Sequence, residues 1–146
     1  MAQNADSVTV RTGETVSGVT VTITEGAASL RGFVAAPKGQ RLPQPAFVYL
    51  IPSEKENAAT LFRYFEARVR DDGSFFIDNI APGEYLVVAL KPQNDAPGTS
   101  AIAIQQNSTL RNAVMQEAEK LKQKLSFKPC ERMDNYDLTF AGATNP

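Results

Sequence analysis

The fold is decided by residues 71–89, DDGSFFIDNIAPGEYLVVA. Asp72-Gly73 predicts a tight turn, because glycine takes a positive φ at no steric cost and aspartate can cap the neighbouring backbone. Pro82-Gly83 predicts a reversal of the chain. The apolar residues on the two sides of this reversal predict two strands that share one buried layer: Phe75, Ile77 and Ile80 before it, and Tyr85, Val87 and Ala89 after it. The stretch therefore favours a β-sandwich.

Working outward, alternating apolar residues and regular turn signals extend the β pattern in both directions. They predict strands at residues 19–24, 28–34, 47–51 and 62–69, a strand that starts near Leu125, and a last strand at 136–140. A helical period replaces the alternation over residues 108–124, and Ser108 is its expected N-cap. The apolar stripe of this helix is Leu110, Val114, Ala118, Leu121 and Leu125. We expect a single domain at 18–141, after an N-terminal strand or linker at 1–17 and before a tail at 142–146.

The composition of the chain excludes several kinds of catalytic site. It has 146 residues, a net charge of −1, one cysteine and no histidine. Without histidine, Ser-His-Asp and Cys-His arrangements and nearly all catalytic zinc sites are excluded, so we expect no enzyme and no cofactor. The near-neutral charge argues against a nucleic-acid partner, and the apolar runs are too short for membrane insertion. No leader is visible at residues 1–6, and we expect that the native leader is missing from this chain.

The spacing of the motif over residues 72–89 is similar to the signature of carboxypeptidase regulatory-like domains. The match comprises Asp72-Gly73, Phe75, Ile77, Ile80, Pro82-Gly83, Tyr85, Val87 and Ala89, and residues 18–32 resemble the first two strands of such domains. These domains are related to transthyretin and to the B-type repeats of collagen-binding adhesins. The resemblance implies a seven-stranded prealbumin-like Greek-key sandwich, carried by a secreted or cell-envelope bacterial protein. It implies a structural spacer or an interaction module rather than a defined reaction.

Two surfaces are candidates for contact with other domains or neighbouring copies. Residues 7–16, with Val8 and Val10, are either an edge strand of this sandwich or a strand that pairs with another copy. The predicted strand at 85–90 is apolar on both faces, so its second face must be covered. Either the helix covers it, or Leu86, Val88 and Leu90 join Phe33 and Phe76 in an interface for a partner.

The alternative function is a carbohydrate-binding module. Tyr64 is the candidate glycan contact, in an aromatic platform with Tyr49, Phe62 and Phe65. The absence of tryptophan weakens this reading, because tryptophan is the usual sugar-stacking residue. Two acidic groups are weaker candidates for Ca²⁺, and Cys130 is either a reactive thiol or a small packed hydrophobe. The acidic groups are Asp71, Asp72 and Asp78, and Asp134, Asn135 and Asp137.

Overall fold

A computed structural model describes residues 8–23, 25–91 and 104–141. The expectations for residues 1–7, for Thr24 and for the tail at 142–146 lie outside these ranges. The described chain is mainly β, with one α-helix, α1 (Ser108–Leu121). Its strands are β1 (Ala28–Ala35), β2 (Phe47–Pro52), β3 (Phe65–Arg68), β4 (Ser74–Ile80), β5 (Gly83–Leu90), β6 (Lys124–Phe127) and β7 (Arg132–Thr139).

The strands form two sheets. One has three strands in the order β4-β1-β7, and the other has four in the order β3-β2-β5-β6. Neighbouring strands are antiparallel except β1 and β7, which run parallel. Residues 71–89 therefore connect the two sheets, because β4 lies in the three-stranded sheet and β5 in the four-stranded sheet. A mainly β architecture of two sheets is confirmed.

The core between the sheets follows the alternation in the sequence. The first sheet contributes residues such as Leu30, Val34 and Phe75, and the second contributes Val48, Tyr85 and Val87. Ile80 also points into this core, although it lies three residues after Ile77. The register between Ala28 and Leu30 shifts opposite these residues, and Asn79 has a φ of 56°. A β-bulge at Asn79 thus keeps both isoleucines on the buried face.

The helix forms a third layer on the outer face of the four-stranded sheet. Val114 and Ala118 of α1 pack with Val88, Leu90 and other residues in a second core, which also holds Tyr49, Ile51, Tyr64, Leu86 and Ile104. The N-cap is Asn107 rather than the expected Ser108, because the Asn107 side chain accepts a hydrogen bond from Leu110 N at 3.0 Å. No helix in the described ranges is long and apolar enough to cross a membrane.

Two strand predictions need correction. Residues 19–23 form no strand, and Val19, Val21 and Ile23 are exposed. Their alternation gives the capacity to pair, but these residues enter no sheet of the described chain. Residues 62–69 are shorter as a strand than predicted, because a 3₁₀ turn at Leu61–Arg63 precedes β3.

Candidate functional site

The first candidate site is the leading segment, defined as residues 8–23. Each of its residues is exposed, and none belongs to a strand. Six of its side chains are large and apolar, and Val21 and Ile23 are 78% and 85% exposed: the six are Val8, Val10, Val16, Val19, Val21 and Ile23. Elsewhere in the described chain the exposed large apolar side chains are Phe33, Phe62, Phe76 and Leu121. The leading segment therefore concentrates the apolar surface that the fold leaves uncovered.

Local hydrogen bonds shape the leading segment without joining it to a sheet. Glu14 N donates to Arg11 O at 3.0 Å, and Arg11 N donates to Glu14 Oε2 at 3.1 Å, which closes a turn around Gly13. Among the described residues of this part of the chain, the first backbone hydrogen bond to the sandwich is made by Gly26, whose carbonyl accepts from Cys130 N at 2.8 Å. The backbone groups of residues 19–23 are therefore available for pairing outside the described chain.

The second candidate site is the arginine–phenylalanine groove on the outer face of the three-stranded sheet, a depression of about 510 Å³. Phe33 of β1 and Phe76 of β4 line it and are 48% and 38% exposed. Arg31 of β1 lies opposite Phe76, with its guanidinium carbon 4.7 Å from the ring centroid. Arg70 and Arg132 bring two further guanidinium groups, and Ser74, Asp134 and Asn135 bring further polar groups. Cationic and aromatic groups thus meet on one sheet face.

A β-bulge in β7 shapes one wall of this groove. The pairing of β1 with β7 shifts between Leu30 and Gly32, where Asn135 has a φ of 59°. Gly32 permits this close approach, because a Cβ there would collide with the carbonyl of Tyr136. The wall is therefore built by backbone geometry that the alternation of apolar residues does not reveal.

Some of the residues predicted for a partner interface are exposed in the structure, and others are buried. Phe33 and Phe76 are exposed, and so are Val8 and Val10 of the leading segment. The prediction that Leu86, Val88 and Leu90 are interface residues is wrong, because α1 covers them and they lie in the second core. The alternative, that the helix covers the second face of this strand, is confirmed.

The structure also corrects the role given to Tyr64. This side chain is 4% exposed, and its hydroxyl donates to Ala58 O at 2.7 Å. Tyr49 is buried as well, Phe65 packs against the core between the sheets, and Phe62 is the exposed ring of the four. Tyr64 therefore presents no open ring face to a sugar, and the four aromatics form no platform.

The acidic residues and the cysteine have local roles. Asp72 Oδ1 accepts hydrogen bonds from Ser74 Oγ at 2.6 Å and Ser74 N at 2.9 Å, and these donors lower the pKa of the Asp72 carboxyl. No group of three or more histidine, cysteine, aspartate or glutamate residues in the described ranges is arranged to hold a metal. Cys130 is exposed rather than packed, in the turn before β7.

One carboxyl group lies at the margin of the second core. Glu66 of β3 faces Tyr49 across the sheet, and burial raises the pKa of Glu66, although a hydrogen bond from the backbone of Ile104 opposes this. Burial, with the neighbouring Glu66 carboxylate, raises the pKa of Tyr49 to about 12. Glu66 and Tyr64 also line a small recess with Gln105. Among the described residues, Glu66 is the one charged group that lines the recess.

Comparisons of the chain with protein-family models, with curated proteins and with solved structures give no match. The resemblance to carboxypeptidase regulatory-like domains therefore depends on the residues quoted above. The sequence alone does not single out the arginines of the groove. Alternation places Arg31 beside Phe33 on an outward face, but Arg70 and Arg132 join them only through the pairing of distant segments.

Proposed function

We propose that this chain is a non-catalytic β-sandwich module that assembles with neighbouring copies through its leading segment. It would serve as a structural or interaction unit of a secreted or cell-envelope bacterial protein, with a prealbumin-like fold of the carboxypeptidase regulatory-like type. The motif over residues 72–89 supports the fold assignment, because its turn residues form the tight turn between β3 and β4 and the β4–β5 connection. The lack of histidine supports a role without catalysis.

The observation that carries the proposal is the alternation within the leading segment. Val19, Val21 and Ile23 would lie on one face of an extended strand, and Thr20 and Thr22 on the other. Such a strand pairs through its backbone and buries its apolar face when it is added to the edge of another sheet. A neighbouring copy supplies sheet edges of this kind, because β3, β4, β6 and β7 are the edge strands of the described sheets.

The same alternation supplies a matched test. Val21→Lys places a charge on the apolar face of the strand, and Thr20→Lys places the same charge on the opposite face. We expect light scattering on a sizing column to show an oligomer for the natural chain and for Thr20→Lys, and a monomer for Val21→Lys. A monomer for all three chains over the whole accessible concentration range would refute assembly between copies.

A further inference from the structure

We propose that the arginine–phenylalanine groove binds a carboxylated polysaccharide, that is, a glycan chain bearing uronic acids. The groove lies on the outer face of the three-stranded sheet, and its lining residues belong neither to the leading segment nor to α1. This proposal is independent of the assembly proposed above, because it depends on different residues and would stand if the chain were a monomer.

The side chains that line the groove carry more positive than negative charge. Arg31, Arg70 and Arg132 are exposed and line one groove. None of them lies within ion-pair distance of a carboxylate of the described residues, although the positive charge of Arg70 helps to lower the pKa of the Asp72 carboxyl. Guanidinium groups bind carboxylates through two parallel hydrogen bonds, which gives geometric specificity as well as affinity. Asp134 is the one acidic residue among the lining residues. The groove therefore favours an anionic ligand.

The position of the groove on a sheet face is the second argument. β1 is the middle strand of this sheet, and its backbone is already paired with β4 on one side and with β7 on the other. An extended peptide that bound here would thus find no free backbone groups on the middle strand, in contrast to a peptide at a sheet edge. Recognition must come from side chains, which supply many N–H donors and the exposed phenyl ring of Phe33. A sugar acid matches this set, since it offers acceptor oxygens and an apolar ring face.

The phenyl rings and the guanidinium groups lie close enough together to contact the apolar face and the carboxylate of one sugar acid. Arg31 holds its guanidinium over Phe76, and this stacking limits the freedom of the arginine before any ligand binds. Phe33 is the more exposed ring, and it follows Arg31 on the same face of β1. We therefore assign Phe33 to the apolar face of a sugar ring and Arg31 to the carboxylate. Asp134 and Asn135 can accept hydrogen bonds from sugar hydroxyls.

The test compares two forms of one glycan by calorimetry with the full chain. Oligogalacturonate carries the carboxylates, and its methyl ester keeps the sugar rings but removes the charge. We expect binding of the acid and at least tenfold weaker binding of the ester. Arg31→Gln and Phe33→Ala should each weaken binding of the acid about tenfold, which is about 1.4 kcal/mol. Arg68→Gln, the control, removes the same charge from exposed Arg68 on β3 and should leave affinity unchanged.

Three results would overturn the proposal. Equal binding of the acid and the ester would show that the carboxylates are not recognised. Equal binding of polyglutamate of matched charge would show that a peptide or charge alone suffices. No binding of the acid by the natural chain would exclude uronic-acid glycans outright. Thermal melts of each variant, unchanged from the natural chain, verify that a loss of binding is not a loss of fold.

Discussion

Arg63 Nη1 donates a hydrogen bond to the carbonyl oxygen of Pro82, with the two atoms 2.9 Å apart. This contact fixes the connection between the two sheets from outside. Glu54 supports the same connection, because its Oε1 accepts a hydrogen bond from Glu84 N at 2.9 Å. Gly83 has a φ of 147°, and a Cβ there would lie 2.9 Å from Arg63 Nη1. The Pro82-Gly83 turn is thus held by side chains distant in sequence, and glycine leaves room for them.

Arg63→Ala should therefore destabilise the sandwich. The substitution leaves the Pro82 carbonyl without its charged donor, and we expect a loss of about 1–2 kcal/mol in the free energy of unfolding. Arg68→Ala is the matched control, since Arg68 is exposed on an edge strand. Chemical denaturation of both variants measures the difference. Equal stabilities for the two variants would mean that the contact contributes nothing.

Val114→Ala tests whether α1 is an integral layer of the fold. Val114 is fully buried in the second core, so its truncation should cost about 2 kcal/mol through lost burial and a residual cavity. Glu119→Ala, at an exposed position of the same helix, should change stability by less than about 0.5 kcal/mol. If denaturant melts showed no cost for Val114→Ala, the helix would not be packed on β5 as described.

The helix cap offers a sharper local test. Asn107→Ala removes the side chain that accepts from Leu110 N, and it should cost about 1 kcal/mol. Ser108→Ala removes a side chain that lies one residue inside the helix, and its effect should be small. The two thermal melts together locate the cap. A larger effect at Ser108 would show that Ser108 is the N-cap.

Glu66 should make the stability of the folded protein depend on pH. Its pKa in the folded chain is raised by burial above the ordinary value of 4.5, so the folded state holds this proton more tightly than the unfolded state. Stability from this group is greatest below pH 4.5 and is lost as the pH rises through the folded pKa. Glu66→Gln lacks this loss, since its amide stays neutral and can still accept from Ile104.

Thermal melts of the natural chain and of Glu66→Gln should therefore diverge with pH. The stability of the variant minus that of the natural chain should be larger at about pH 7 than at about pH 4. The other titrating groups are the same in both proteins, so their contributions cancel in this difference. A difference that stayed constant across this range would contradict the raised pKa. The sign is the informative result, because loss of a stabilising ion pair would move the difference in the opposite direction.

The sequence predicted those parts of the fold that depend on local chemistry. The Asp72-Gly73 turn, the inward Phe75 and Ile77 and the two-faced apolar strand β5 follow from turn residues and alternation, and the structure confirms them. Residues 19–23 had an equally clear alternation but lie outside every described sheet. Alternation shows that a segment can pair, but it does not identify the partner strand.

The candidate sites were less predictable for a related reason. Leu86 could be an interface residue or a core residue until the position of α1 was known, because both environments require an apolar side chain. Arg31 and Arg132 come together through the parallel pairing of the first and last strands of the sandwich, a contact between segments about a hundred residues apart in the chain. No local pattern encodes such a pairing.

Residues 19–23 become a strand only when copies meet in the assembly proposed here, and amide hydrogen exchange of these residues tests this most directly. We predict fast exchange at low protein concentration and protection that grows with concentration, while the amides of β1 stay protected throughout. Val21→Lys should abolish the growth in protection and Thr20→Lys should retain it. Protection equal to that of β1 at low concentration would show that the strand pairs within its own chain. Fast exchange at every concentration would show that copies do not pair through it. Either result would contradict the account.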